Sequence, residues 1–257
     1  MWEPFGRIEE LKFDLKEDLE IYINYLKIRK KTINEMIPKI DNLHFVDLEE
    51  IRTFKTAKRT EEHASGRFLL CHMLKKYFPH FDYKFIEVYR DEHRAPFFRS
   101  KMGKYKHKRL PNFSISTSGD YVVVALCEPK YSVGVDIEKL NQNRTNSLFD
   151  FISEGDELIQ IKSLYQKNGN HELNHVWTAK ESILKSLKIG FSISPTKIKV
   201  INENFEFKEI VRYAGTDLFL RTSVLNFNED YSFSIALTDS KNIEFEKMRI
   251  AGIEPTT

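Results

Sequence analysis

Residues 131–138 read YSVGVDIE, and the alternation in that stretch decides what kind of chain this is. Val133, Val135 and Ile137 fall at every second position, the period of a strand with one face toward a core. The same geometry puts Asp136 and Glu138 together on the other face, roughly 6 to 7 Å apart along the backbone. Neighbouring carboxylates repel each other, but both can reach one hard cation. Mg2+ suits such a pair because it takes one or two carboxylates, keeps waters and completes its shell with phosphate oxygens. Mn2+ accepts the same oxygen donors. Gly134, just before, would let a ligand approach the backbone closely. Taken alone, the two acids also suit the solvated face of an ordinary edge strand.

On the N-terminal side, FSISTSGDYVVVALC predicts a strand, a turn at Ser118 to Asp120 and an all-apolar strand from Tyr121 to Cys127. Before it, FFRSKMGKYKHKRLPN is densely basic and reads as a loop, and Phe81 to Tyr89 alternates as a strand. Asp47 to Tyr77 is helical in pattern, with Phe68, Leu69, Met73 and Leu74 at helical steps, and Arg52, Lys55 and Lys58 can line one side of that helix as phosphate donors. The stretch up to about Pro38 predicts a strand or two and helical pieces, without a motif. On the C-terminal side, NQNRTN reads as a loop and Leu148 to Tyr165 and His171 to Lys188 as two helices. In the second of these, Val176, Ala179, Ile183 and Leu187 form an apolar stripe, leaving Trp177, Glu181 and Lys185 stacked on the adjacent face. As a plain surface feature, Glu181 and Lys185 are an i, i+4 ion pair worth ~0.2 to 0.5 kcal/mol. DYSFSIAL at 230–237 echoes GDYVVVAL at 119–126, each downstream of a long amphipathic helix, which points to two similar lobes.

Composition narrows the class. At 41% hydrophobic and 13% aromatic, the 257 residues can bury a core, so this is a folded protein. A net charge of +2 gives no global field for nucleic acid or membrane, so neither is an expected partner. There is no leader-like N-terminus or membrane-length apolar run, and a cytoplasmic location is expected. Cys71 and Cys127 sit apart in apolar surroundings and read as buried free thiols.

In order, FSISTSGDY, VGVDIE and WTAKESILKSLKIGFS resemble the 4′-phosphopantetheinyl transferases of the two-lobed Sfp class, whose pattern runs FNISHS, (V/I)G(I/V)D(I/L)E and WxxKE(S/A)xxK followed by glycine. The resemblance covers about residues 50 to 200. It implies an α+β fold, a pseudo-dimer of two similar lobes with the active site in the cleft between them. Residues 1–130 would form the lobe that contacts the coenzyme A nucleotide, and 131–257 the lobe with the metal and catalytic residues. The implied reaction moves the 4′-phosphopantetheine arm of coenzyme A onto a serine of an apo acyl or peptidyl carrier protein, releasing adenosine 3′,5′-bisphosphate. The class is usually monomeric.

Residue by residue, the resemblance makes Asp136 and Glu138 the metal carboxylates, with Asp156 as third ligand and Glu157 as its neighbouring alternative. Lys185 would stabilise charge on the phosphates, Glu181 would take the serine proton or bind the metal through water, and Lys180 would contact the pyrophosphate. Arg67 matches the family's GRxLL arginine, and Arg52 and Lys55 fall where the 3′-phosphate is gripped. Arg94 and Ala95 stand where Gly and Lys are usual before Pro96, and Arg94 supplies a cation there. Thr117 occupies the place of the FNISHS histidine, with the hydroxyls of Ser116 and Ser118 beside it as donors, and Lys188 replaces the first glycine after the lysine of the third motif. Thr117 and Ala95 prompt the alternative of a coenzyme A or carrier-protein binding homologue without catalysis. The basic stretch from Arg99 to Arg109 is a candidate for steering an acidic carrier.

Overall fold

The computed structural model describes residues 5–12, 20–29, 43–227 and 229–243. Much of the N-terminal stretch expected to hold strands and helical pieces lies outside them. By its contacts the chain divides into two compact units, Met1–Arg90 with Pro96–Pro129, and Asp91–Ala95 with Lys130–Thr257. No helix among the described residues is long and apolar enough to cross a membrane.

The first unit carries strands β1 (Ile8–Glu10), β2 (Ile21–Lys27), β5 (Asn112–Ser118) and β6 (Tyr121–Cys127) in one antiparallel sheet of order β1-β2-β6-β5. Strands β3 (Ile86–Arg90) and β4 (Pro96–Ser100) make a separate hairpin. The expected long helix is two: α1 (Leu48–Arg52) and α2 (Ala57–Tyr77). The chain breaks because Thr56 is extended, with φ −134° and ψ 145°, and its hydroxyl caps α2 by accepting from Arg59 N. Leu69, Leu70, Met73 and Leu74 of α2 then bury completely in a core that also holds Val122, Val124 and Leu126 of β6.

In the second unit, β7 (Tyr131–Lys139), β8 (Ile210–Tyr213), β9 (Thr216–Asn226) and β10 (Asp230–Asp239) form an antiparallel sheet of order β7-β10-β9-β8. Helices α3 (Ser147–Ile152), α4 (Gly155–Asn168) and α5 (Asn170–Leu187) lie between β7 and β8 in sequence. The single helix expected from Leu148 is interrupted at Ser153 and Glu154, both extended, and Gly155 follows at φ +60°. Val176, Ala179, Ile183 and Leu187 are fully buried, as their spacing predicts.

Each unit repeats one plan: a strand, a long helix, and then a series of strands of which the last inserts between the first and the one just before it. That gives β2-β6-β5 in one and β7-β10-β9 in the other. Tyr121 and Tyr231, the residues of the sequence echo, both lie near the start of that inserted strand. The fold is α+β, with two lobes of one design. Both cysteines are buried and free.

Two further readings are corrected. Residues 83–85 form a 3-10 turn rather than the start of a strand, and Pro96–Ser100 of the expected loop is β4. The basic stretch is tied to its own hairpin: Arg99 and Lys101 pair with Glu87, and Lys104 with Asp82.

Candidate active site

Helix α5 crosses directly over β7, and Gly134 is the reason it can. A Cβ there would lie 1.9 Å from the Ser182 carbonyl oxygen and 2.3 Å from Ser186 N. The absent side chain therefore makes room for a helix backbone, where the sequence suggested a ligand. Small residues answer from the helix side, and Ser132 Oγ donates to Ser186 O at 2.6 Å. Asp136 and Glu138 point to the same face as Gly134. They sit opposite Ser234 and Ser232 of β10 in the register. This is no solvated edge: Asp136 is 3% exposed, and Val133, Val135 and Ile137 on the other face are buried as well.

The helix face above them brings charge to the two acids. Lys185 Nζ donates to Asp136 Oδ1 at 2.5 Å. Burial alone would lower the Lys185 pKa, but Asp136, Glu181 and Glu138 raise it above the usual lysine value. Glu181 Oε1 is buried and has no hydrogen-bond partner among the described residues. Its carboxyl is pushed up to about 7, first by burial and further by the negative charges of Asp136 and Glu138, against the lowering pull of Lys185 and Arg144.

Arg144, from the polar loop after β7, completes the group and was not singled out in the sequence. Its Nη2 lies 3.0 Å from Glu138 Oε1, and its Nε donates to Asn174 Oδ1 at 2.9 Å. Asn174 is fully buried on α5 and donates to the carbonyls of Leu140 and Gln142, so it fixes the loop as well as the guanidinium. A lone arginine among Asn, Gln and Thr carries no local pattern that would mark it.

Three expected residues stand elsewhere. Lys180 is 0% exposed, and its ammonium donates to Ile152 O, Ser153 Oγ, Glu157 Oε2 and Pro195 O at 2.6 to 3.2 Å. All its protons are engaged by the protein, so it is an internal strut and not a pyrophosphate ligand. Glu157 is its counter-ion, and its Oε1 accepts from Val200 N and Ile201 N. Asp156 is exposed on the first turn of α4. Among the described residues no three His, Cys, Asp or Glu side chains form a group that could hold a metal ion. Electrostatics link Glu181 to the two strand acids. The donor set still suits a hard divalent cation. Asp136 and Glu138, at alternate positions on one strand face, are oxygen-only ligands with charge to neutralise.

In the first unit Arg67 is 5% exposed in the middle of α2, and its Nη1 has no hydrogen-bond partner among the described residues. Burial, and after it Arg90, lowers its pKa to about 10. Arg90 Nη2 is held by Glu50 Oε1 at 2.6 Å, and Glu50 Oε2 lies 3.9 Å from His63 Nδ1. The Glu50 pKa lies below its usual value because Arg90, His63 and Arg67 outweigh its burial. Arg52 ends α1 and pairs with Glu49, Lys55 is exposed in the turn, and Lys58 opens α2, so the three do not share one helix face. Ser116 and Ser118 are buried and Thr117 half-buried on β5.

Arg94 stands in a tight turn with φ 64°, where Asp91 Oδ1 accepts from Ala95 N at 2.8 Å. That turn belongs to the second unit, and there Ser192 Oγ and His93 Nδ1 share a hydrogen bond of 3.0 Å. Lys188 has φ 54° at the end of α5. Both residues replace glycines of the resembled pattern and both keep the left-handed backbone that glycine adopts most easily.

Comparison with known proteins follows the same division. Residues 132–236 match the family model described as the 4′-phosphopantetheinyl transferase superfamily. Residues 32–129 match the model described as 4′-phosphopantetheinyl transferase, N-terminal. No curated protein matches the chain.

Proposed function

The chain belongs to the 4′-phosphopantetheinyl transferase superfamily, an enzyme class that loads carrier proteins, and we propose that it takes the arm from coenzyme A and places it on a serine. The observation that carries this reading is the convergence of Asp136, Glu138, Glu181 and Lys185 on one strand and helix face. Asp136 and Glu138 would hold Mg2+ or Mn2+. When bound, that cation neutralises oxygens of the pyrophosphate.

The serine oxygen forms a bond to the β-phosphorus. The bond from that phosphorus to the bridging oxygen breaks, and its electron pair leaves with adenosine 3′,5′-bisphosphate. Glu181, with an oxygen to which no described residue donates, takes the serine proton. Lys185 offers positive charge where the phosphates gain negative charge. Arg67, a buried cation with an unpartnered nitrogen, would hold a phosphate at the nucleotide end, and Ser116, Thr117 and Arg94 would add polar contacts.

Intact-mass measurement of apo acyl and peptidyl carrier proteins, incubated with coenzyme A, Mg2+ and the enzyme, tests the reading. One phosphopantetheine is gained with the wild type, none with Asp136→Ala, and the rate falls by roughly 100-fold or more with Glu181→Gln. No gain on any carrier, or equal loading by Asp136→Ala, overturns it; tight coenzyme A binding without turnover would identify a binding homologue instead.

A further inference from the structure

Two cations sit on the two strand acids, and they do so differently. Lys185 Nζ makes a direct hydrogen bond to Asp136. Arg144 Nη2 comes within 3.0 Å of Glu138 Oε1, yet this buried nitrogen makes no aligned hydrogen bond. Its hold on Glu138 is charge alone, and charge contacts without alignment are the more readily exchanged. Arg144 is also the member carried by a loop, whereas Lys185 is on a helix. Asn174 anchors its Nε, and the guanidinium lies 5.8 Å from the centre of the Trp177 ring. The ring face gives the planar cation a second resting place beside the first.

We propose that Arg144 is a displaceable counter-ion of the cation site: it neutralises Glu138 in the metal-free protein, and a divalent cation must take Glu138 from it. This rests on the reading that Asp136 and Glu138 bind that cation. Without Arg144, Glu138 would face Asp136 and Glu181 with less positive charge nearby, so the arginine stabilises the empty site. The same charge weakens metal binding, because it competes for one oxygen and repels the incoming ion. Arg144 therefore sets how much cation the enzyme needs, and its displacement moves a charge away from or along the Trp177 ring.

Calorimetric titration of Mg2+ into the full-length protein, without coenzyme A, tests this with Arg144→Gln beside the wild type. Trp2→Phe in both backgrounds leaves Trp177 as the fluorescent reporter. Arg144→Gln is expected to bind Mg2+ at least about threefold more tightly. The wild type is expected to show a Mg2+-dependent change in Trp177 emission that Arg144→Gln lacks. Equal or weaker binding by Arg144→Gln, with the wild type still binding, overturns this inference and leaves the cation reading standing. Absence of binding in both proteins removes the cation reading and this inference with it. Arg144→Met, which removes the charge and keeps an extended side chain beside Trp177, is a second variant should Arg144→Gln not fold. It is likewise expected to bind Mg2+ at least about threefold more tightly, and unchanged or weaker affinity counts against the proposal.

Discussion

The two units share a topology and differ in what they leave unmet. Among the described residues, the long helix of the first buries a donor without an acceptor, Arg67 Nη1, and that of the second buries an acceptor without a donor, Glu181 Oε1. One plan thus carries an unmet donor and the other an unmet acceptor, as the proposed anion and cation sites require. The close approach of helix and sheet is also solved in opposite ways. In the first unit the glycine is on the helix, Gly66, and a Cβ there would meet the Cγ2 methyl of Ile115 at 3.1 Å. In the second it is on the strand, where Gly134 faces main-chain atoms of α5. A side chain can yield and a helix backbone cannot.

That contrast gives the largest expected effect. Gly134→Ala is expected to cost about 4 kcal/mol or more in chemical denaturation, since nothing near it can move. Gly66→Ala is expected to stay within about 1 kcal/mol of the wild type, because the gain in helix propensity offsets a slight crowding of Ile115. Equal stability of the two variants would break the comparison.

Next is the buried ion pair of the second unit. Lys180→Met strands the Glu157 carboxylate and is expected to cost about 3 to 5 kcal/mol. Adding Glu157→Gln, which still accepts from Val200 N and Ile201 N, is expected to return part of that loss by the same measurement. No recovery would mean that the charge itself is not the source of the cost.

A pH effect belongs to the first unit. Burial, and after it Arg67, holds the His63 pKa down to about 4 from 6.5, against the pull of Glu50. The unfolded chain binds the proton first, so stability is full above pH 6.5 and falls as the pH drops toward 4, by on the order of 3 kcal/mol. Denaturation midpoints of the wild type and His63→Gln across that window check it, the variant having the flatter profile. A smaller effect separates binding from folding. Arg67→Met removes a buried cation that Arg90 repels, and is expected to leave stability unchanged or raise it by about 1 kcal/mol. Coenzyme A affinity, read by calorimetry, is expected to fall about tenfold.

How much of this was legible depended on the range over which each residue's role is set. Alternation in 131–138 and the 176, 179, 183, 187 stripe depend on local geometry, and both elements lie where the pattern put them. Helix breaks were misread because they depend on single capping residues: Thr56 inside FKTAKR, and SEG at 153–155. Roles set by distant partners were not readable. Lys180 looks like an exposed family lysine until Glu157, 23 positions away, is seen beneath it. Arg144 acquires its place only through Asn174, 30 positions along the chain. Gly134 was rightly taken as a point of close approach, but periodicity cannot say what approaches.

Main chain against main chain at Gly134 has an evolutionary corollary. The strand that carries the two carboxylates and the helix that carries Glu181 meet there through non-bonded main-chain contact, which exchanging side chains elsewhere leaves in place. Descendants of this chain are thus free to exchange most interior residues while the seating of that helix on that strand stays constant, provided that one position never acquires a methyl group.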